Sequence, residues 1–240
     1  MNTDENAIFS LPEYIKVVYG DLYASKKNCK MADSSFSCML RTFFKYDFLV
    51  ERLIEEIKGC RNILQIGISF GYQIQKTSAL TRTDKVYKII DINPNEVVRL
   101  QKKCAQNYKN LIICEQDARQ LEPEKKYDCI ICFFLLSTLP NETRNKIINN
   151  ALKVLEPDGK AVFIDWHKPA SFNPLLFFVK SYNRLRHPFV EHFWKKDIPE
   201  TINKDFAKKF LWKKTCYFGG LFQKTVVKRN FNSESLLEKF

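Results

Sequence analysis

The residues best suited to chemistry follow the first of several short apolar runs. Gly67 and Gly71 come after the run Asn62–Ile66, and a helical pattern begins directly after them. A glycine that follows a strand lets a ligand approach the backbone closely, and the N–H groups that open the next helix can receive an anionic group. This spacing predicts a ligand-binding loop, for which a tight turn between a strand and a helix is the alternative.

A second candidate lies at the end of the next apolar run. Asp91 comes about twenty residues after the glycine loop, where a carboxylate can accept the hydroxyl groups of a ribose. NAD-binding loops carry three close glycines, G-x-G-x-x-G, whereas Ser69 stands at the middle position here. Together with a hairpin signal at Gly219-Gly220, this favours S-adenosylmethionine as the cofactor, with its carboxylate at the start of the helix.

The loop also departs from the pattern that is usual in methyltransferases, which has an acidic residue and one more glycine. Gln65 replaces the acid and removes a negative charge near the cofactor's amino group, and Ser69 adds a Cβ where the backbone should lie closest. We predict that Gln65, Gly67, Ser69 and Gly71 bind the cofactor together with Asp91.

Further candidates follow the later apolar runs. Asp117 is expected near the adenine or in catalysis, with a helix N-cap as the alternative. Phe133 is a further cofactor-binding candidate. His167 could act as a base or orient a substrate carbonyl, with a structural histidine bonded to a loop carbonyl as the alternative. Ser137 and Asp165 are expected to face the same crevice at the strand ends.

Alternating strand and helix patterns surround these candidates and predict a parallel sheet. The predicted strands are Asn62–Ile66, Val86–Ile92, Leu111–Cys114, Tyr127–Phe134 and Lys160–Asp165. The predicted helices between them are Tyr72–Leu80, Asn95–Asn107 and Glu142–Leu155. Two closing runs, Leu211–Phe218 and Leu221–Val227, predict a hairpin. The predicted fold is the Rossmann-like α/β fold of class I methyltransferases, with a mostly parallel seven-stranded sheet and a C-terminal antiparallel hairpin.

A helical extension is predicted over residues 1–60. A capping box at Ser10 opens a helix that reaches Leu22, a polar break covers residues 25–37, and a second helix spans Cys38–Ile57 and ends at Gly59. The cofactor-binding domain is predicted over residues 61–228 and a tail over residues 229–240.

The net charge of +12 suits either an anionic membrane surface or nucleic acid. Nucleic acid is disfavoured because the lysines are spread out and no recognition motif is present. Eight cysteines, several within apolar runs, are predicted to be reduced, which suits a cytosol-like or matrix-like compartment. No apolar run is long enough for a membrane-spanning helix, and the acidic, polar N-terminus does not predict secretion.

A helix is predicted over Leu175–Leu185, where an apolar stretch is followed by basic residues. Phe172–Val179 is followed by Lys180, Arg184 and Arg186. The pattern is typical of a flap that dips into a membrane, where it could receive a long-chain quinone, and equally of a core helix packed on the sheet.

Several motifs between Asn62 and Lys228 resemble the rhodoquinone-biosynthesis methyltransferase-like family (RquA). They are Leu64-Gln65, Cys132–Leu136, Asp165–Pro169, Asn173–Leu175, His187–Phe189 with Trp194, and Phe218–Lys224. The resemblance implies binding of S-adenosylmethionine and conversion of ubiquinone to rhodoquinone, in which an amino group replaces a methoxy group. It also implies help from a divalent metal such as manganese, and it matches Asp91 and Asp117 to the family's conserved acids.

Two segments differ from that family. Its tyrosine-glycine-aspartate string is Phe70-Gly71-Tyr72 here, and its histidine-glutamate pair is Ser137-Thr138. Three functions therefore stay open from the sequence. They are amino transfer to a quinone, conventional methyl transfer to a small molecule or lipid, and a non-catalytic role in which the cofactor fold binds a partner.

Overall fold

The structure, a computed structural model, describes residues 11–23, 31–80, 84–104, 109–186 and 188–231. The chain forms two compact units, residues 1–117 and 118–240. The predicted domain boundaries at residues 60 and 228 stay predictions. Ser10 of the predicted capping box, Cys29 and His187 lie outside the described residues. The seven described cysteines carry free thiols.

The sheet of the first unit has three parallel strands. They are β1 (Asn62–Ile66), β2 (Val86–Asp91) and β3 (Leu111–Glu115), with β2 between the other two. Ile66 is the partner of Ile90, so β1 and β2 end at the same level. This register brings the loop after β1 beside the last residue of β2.

Five helices accompany this sheet in the described residues. They are α1 (Glu13–Tyr23), α2 (Ser35–Arg41), α3 (Tyr46–Ile57), α4 (Gln73–Leu80) and α5 (Pro94–Cys104). In α3, Leu49, Leu53 and Ile57 recur at a spacing of four residues and are buried, whereas Glu51 and Glu55 are exposed. This single apolar stripe is the pattern of a helix that packs one face on a core.

The predicted continuous helix Cys38–Ile57 is wrong, because the chain breaks between α2 and α3. The Phe44 N–H donates to the Met39 carbonyl (2.6 Å) and the Phe43 N–H to the Leu40 carbonyl (3.1 Å). This pair of bonds is a Schellman cap, in which the residue after the helix adopts left-handed backbone angles. Glycine usually takes that place, but here Phe43 and Phe44 have φ values of 50° and 61°.

The second unit contains four strands. They are β4 (Tyr127–Phe133), β5 (Leu155–Trp166), β6 (Phe210–Tyr217) and β7 (Phe222–Arg229). β5 runs parallel to β4 and antiparallel to β7, which pairs with β6 as the predicted hairpin. Three parallel strands in the first unit, and a parallel pair followed by an antiparallel hairpin in the second, confirm the predicted class I methyltransferase fold.

Helices of the second unit and two 3-10 turns complete the elements. The helices are α6 (Asn141–Lys153), α7 (Leu176–Arg186), α8 (Val190–Phe193), α9 (Ile198–Thr201) and α10 (Lys204–Lys208), and the turns are Ala118–Gln120 and Leu136–Thr138. None of the helices in the described parts of the chain combines the length and apolar character needed to cross a bilayer.

The left-handed backbone at Phe44 leads to a prediction about stability. Phe44 is exposed, so its substitution removes little packing. We expect Phe44→Gly to be more stable than Phe44→Ala by about 1–2 kcal/mol, because a Cβ disfavours the left-handed region. At Val17, an exposed position within α1, the order should reverse by about 1 kcal/mol, since alanine is the better helix former. Urea unfolding of the four variants measures both differences. Equal stabilities of the two Phe44 variants would contradict the left-handed cap.

Candidate cofactor site

The loop that joins β1 to α4 depends on two glycines with left-handed backbone angles. Gly67 and Gly71 have φ values of 83° and 88°. A Cβ on Gly71 would lie 2.7 Å from the Tyr46 hydroxyl oxygen, closer than real Cβ contacts come. The Gly67 N–H donates to the Ile90 carbonyl (2.8 Å), which continues the β1–β2 ladder into the loop. Both predicted glycines are therefore required by backbone geometry.

Asp91 lies directly against this loop, as the spacing predicted. Its Oδ2 accepts the Ile68 N–H (2.8 Å) and its Oδ1 accepts the Asn93 N–H (2.9 Å). Burial raises the pKa of the carboxyl from 3.8 to about 6, and the two N–H bonds offset part of that shift. Each oxygen keeps lone-pair capacity beyond its one backbone bond, so the carboxylate can accept further donors such as hydroxyl groups.

Gln65 is fully buried and belongs to a network of amide and hydroxyl groups. Its Nε2 donates to the Gly67 carbonyl (3.1 Å) and to Gln73 Oε1 (3.1 Å), and its Oε1 accepts from Gln73 Nε2 (3.1 Å) and from the Tyr87 hydroxyl. Ser69 joins the network by donating to Gln73 Oε1 (2.7 Å). An acid at position 65 could accept but could not donate, which gives a physical reason for glutamine there.

Residues of the N-terminal segment, one in α3 and one just before α2, hold the loop. The Tyr46 hydroxyl donates to the Phe70 carbonyl (2.7 Å) and accepts the Gln73 N–H (3.2 Å). Asp33 Oδ1 accepts the Gly71 N–H (2.9 Å). The N–H groups that open α4 were expected to be free for a ligand. That expectation is wrong for the Gln73 N–H, and the Gly71 N–H before the helix is also bonded to a protein oxygen.

Asp33 is also the centre of a small charge cluster. Its Oδ2 lies 2.7 Å from Lys103 Nζ and 2.6 Å from a terminal nitrogen of Arg99. Lys103 also donates to the Gly71 carbonyl (2.6 Å), and the Arg99 guanidinium stacks over the Phe70 ring at 4.9 Å. Asp33 was not predicted, because it lies in a polar stretch of sequence and its partners are far along the chain.

Asp117 follows β3 directly and precedes the 3-10 turn Ala118–Gln120. The preceding Gln116 N–H donates to the Asp91 carbonyl (3.0 Å), which holds this segment against the end of β2. Asp117 is half-buried. Its proposed place near the adenine stays a prediction.

The remaining candidates belong to the second unit. Phe133 ends β4 and is buried, with its ring centre 5.0 Å from that of Phe134. Asp165 is buried, accepts the N–H groups of Ser137 (3.0 Å) and Trp166 (2.7 Å), and has its pKa raised by burial to about 6. These bonds make Asp165 the anchor of the 3-10 turn after β4.

His167 follows β5 with its ring held by the hairpin turn. Its Nδ1 lies 3.1 Å from the Gly220 carbonyl oxygen, so Nδ1 carries the proton and Nε2 the lone pair. Burial and the nearby Lys214 lower the pKa of the imidazole. The bond matches the structural alternative, in which the histidine is bonded to a loop carbonyl. The same bond also fixes the tautomer that a catalytic base needs.

Comparison with known proteins fits this geometry. Residues 63–159 match a family of methyltransferase domains. The match to methyltransferase domains and the fold confirm the predicted enzyme class, a methyltransferase-like S-adenosylmethionine-dependent transferase. The family is general, so the narrower resemblance to RquA stays a prediction. No curated protein sequence matches the chain significantly.

Solved methyltransferases share the fold at low sequence identity. The N-methyltransferase NodS from Bradyrhizobium japonicum WM9, in complex with S-adenosyl-L-homocysteine, is similar over 91% of this chain and 99% of that chain, with 15% identity and a TM-score of 0.56. Human N-acetylserotonin methyltransferase in complex with S-adenosylmethionine is similar over 95% of this chain and 65% of that chain, with 13% identity and a TM-score of 0.57. The mitomycin 7-O-methyltransferase MmcR is similar over 95% of this chain and 66% of that chain, with 12% identity and a TM-score of 0.58.

The contact of Tyr46 with Gly71 can be separated from backbone strain by two alanine variants. Gly71 and Gly59 both have a φ of 88°, but a Cβ on Gly59 would meet no atom within 4 Å. We expect Gly59→Ala to cost about 1–2 kcal/mol from strain alone and Gly71→Ala about 2 kcal/mol more from the clash. Urea unfolding measures both. Equal costs would show that Tyr46 does not close the loop.

The Gln65 network predicts that restoring the usual acid is harmful. We expect Gln65→Glu to lower the free energy of unfolding by about 2–3 kcal/mol at neutral pH, because a buried charge replaces two donated hydrogen bonds. Gln116→Glu is the control, since its Oε1 only accepts from Lys88 Nζ (2.8 Å) and a carboxylate keeps that bond. A Gln65→Glu protein as stable as the Gln116→Glu control would rule out the donating role of Gln65.

Proposed function

We propose that the protein is an S-adenosylmethionine-dependent methyltransferase that acts on a small molecule. The observation that carries this proposal is the Asp91 carboxylate at the end of β2, bonded to the loop after β1. A carboxylate in this place accepts ribose hydroxyls. The match of residues 63–159 to methyltransferase domains agrees with it.

The residues near the loop would hold the cofactor. Asp91 would bind the ribose, Asp117 would lie near the adenine, and the backbone at Gly67, Ser69 and Gly71 would follow the methionine part. Gln65 would act mainly by fixing the loop, since its amide groups are bonded within the protein. Phe133 is retained as a cofactor contact. The bound cofactor supplies a methyl group on a positively charged sulfur.

His167 is the proposed base of the reaction. Its Nδ1–H bond to Gly220 leaves Nε2 as a proton acceptor, and the lowered pKa keeps the ring neutral at neutral pH. A neutral Nε2 can take the proton of an acceptor hydroxyl or amine as the acceptor becomes methylated. Asp117 is retained as a second candidate for a catalytic role.

Amino transfer to a quinone, which the resemblance to RquA implies, is the alternative to methyl transfer. Two motifs that resemble RquA, Asp165–Pro169 and Phe218–Lys224, are bonded to each other, with the His167 N–H donating to the Leu221 carbonyl (3.0 Å). The two motifs therefore lie side by side. The reaction itself rests on the resemblance, which implies that the cofactor supplies an amino group to replace a methoxy group of ubiquinone. Quinone profiles of cells with and without the gene test it, and unchanged rhodoquinone and ubiquinone pools would argue against it.

The metal implied by the resemblance finds little support. In the described parts of the chain, no three His, Cys, Asp or Glu side chains are grouped so that they could hold a metal ion. Asp91 already binds two backbone N–H groups. Manganese would therefore lack a ligand set beyond Asp91 and Asp117 among these residues.

The third possibility, a protein that binds partners without catalysis, was suggested by Gln65 and Ser69. Their shared network with Gln73 gives both residues a structural reason to differ from other methyltransferases. Calorimetry with S-adenosylmethionine separates the two functions, because only the non-catalytic protein would bind no cofactor at millimolar concentration.

Cofactor affinity is expected to depend on pH through Asp91. The ionised carboxylate is the form that accepts hydroxyl hydrogens, and its pKa is about 6. Affinity for S-adenosylmethionine should therefore be highest above that pH and fall by up to about tenfold per pH unit below it. Asp91→Asn should weaken binding by about 1.5–3 kcal/mol and remove this dependence.

Glu115→Gln serves as the control for Asp91→Asn. Glu115 lies opposite Asp91 on β3 and is exposed. Calorimetric titrations at several pH values should give the control the same affinity and pH profile as the natural chain. If the Asp91→Asn variant bound S-adenosylmethionine as tightly as this control, the ribose would have to bind elsewhere.

A further inference from the structure

The outer face of α7 exposes large apolar side chains next to basic ones. Phe177 and Phe178 are 75% and 63% exposed, and Phe172, just before the helix, is 85% exposed. Val179 and Asn183 on the opposite face are buried. The sequence left open whether this helix packs as a core element or meets a membrane. The structure shows a helix with one packed face and an outer face whose phenylalanines point away from the core.

The segment that precedes α7 is firmly attached to the hairpin turn. Asn173 is buried, and its Nδ2 donates to the carbonyls of Phe218 (2.9 Å) and Gly219 (3.1 Å). The Ala170 N–H also donates to the Gly219 carbonyl (2.9 Å). Phe172 therefore extends from a backbone that is held on both sides, so its exposure is a property of the fold.

Basic side chains continue the same face toward the end of the helix. Lys180 and Arg184 follow Phe177 by three and seven residues, are exposed, and so lie on its side of the helix. Residues 168–196 contain six Lys or Arg and one acidic residue, Glu191. Glu191 lies 3.7 Å from Arg184, but both side chains are largely exposed, so the pair neutralises little of the charge.

We propose that this face, Phe172, Phe177 and Phe178 with Lys180 and Arg184, docks on an anionic phospholipid bilayer. Adjacent aromatic side chains can enter the region between headgroups and acyl chains, while neighbouring lysine and arginine side chains bind lipid phosphates. A partner helix would instead require an apolar stripe at intervals of three and four residues. Among the side chains of α7 that the structure describes, that stripe is absent from the exposed face, where positions 180, 181 and 184 are Lys, Ser and Arg.

Vesicle co-sedimentation tests the surface without cofactor or acceptor, so its outcome is independent of the proposed methyl transfer. The full-length chain should bind mixed phosphatidylcholine–phosphatidylserine vesicles at least about tenfold better than pure phosphatidylcholine vesicles. The double variant Phe177→Ser/Phe178→Ser should lose at least about tenfold of that binding. The double variant Lys180→Glu/Arg184→Glu should lose vesicle binding by a similar factor, and its remaining binding should depend less on salt.

Phe36→Ser is the matched control, because Phe36 is 71% exposed and lies at the start of another helix, α2. It should bind vesicles like the natural chain. The proposal is overturned if the natural chain does not sediment with phosphatidylserine vesicles. It is also overturned if the α7 variants bind as well as the Phe36→Ser control, which would assign the affinity to net charge alone.

Discussion

The hydrogen bond from the Ile68 N–H to Asp91 joins the two parts of the candidate cofactor site. It is possible because β1 and β2 end at the same level, so that the loop after one strand meets the last residue of the other. The bond fixes a carboxylate that is costly to ionise, and it leaves oxygen lone pairs for a ligand. The positions of Gly67 and Gly71 matter because they let the backbone follow this path.

The fold and the place of Asp91 at the end of β2 could be predicted because they follow from short-range rules. Buried strands are continuous apolar runs, parallel strands place their carboxyl ends at one edge, and a carboxylate at the second end has a known use. The roles of Gln65 and Asp33 could not be predicted. Gln65 depends on Tyr87 and Asp33 on Lys103, and no local pattern relates residues so far apart in the chain.

The break at Phe43 and Phe44 was missed for a different reason. A helix end of this type is recognised in sequences by glycine, whereas here the left-handed residues are aromatic. Phe134 and Phe218 also have positive φ values, at the end of β4 and in the hairpin turn. Residues in such conformations persist only where the surrounding structure holds them, and this cannot be read from their type.

The contacts of Tyr46 and Asp33 with residues 70–73 mean that the glycine loop and the N-terminal helices form one mechanical unit. A ligand that shifts the loop must stretch or replace these contacts. By thermodynamic linkage, if a restraint on the N-terminal segment changes the affinity of the loop for a ligand, the ligand changes the free energy of that restraint by the same amount. The N-terminal segment could therefore regulate ligand binding at the glycine loop without itself contacting the ligand.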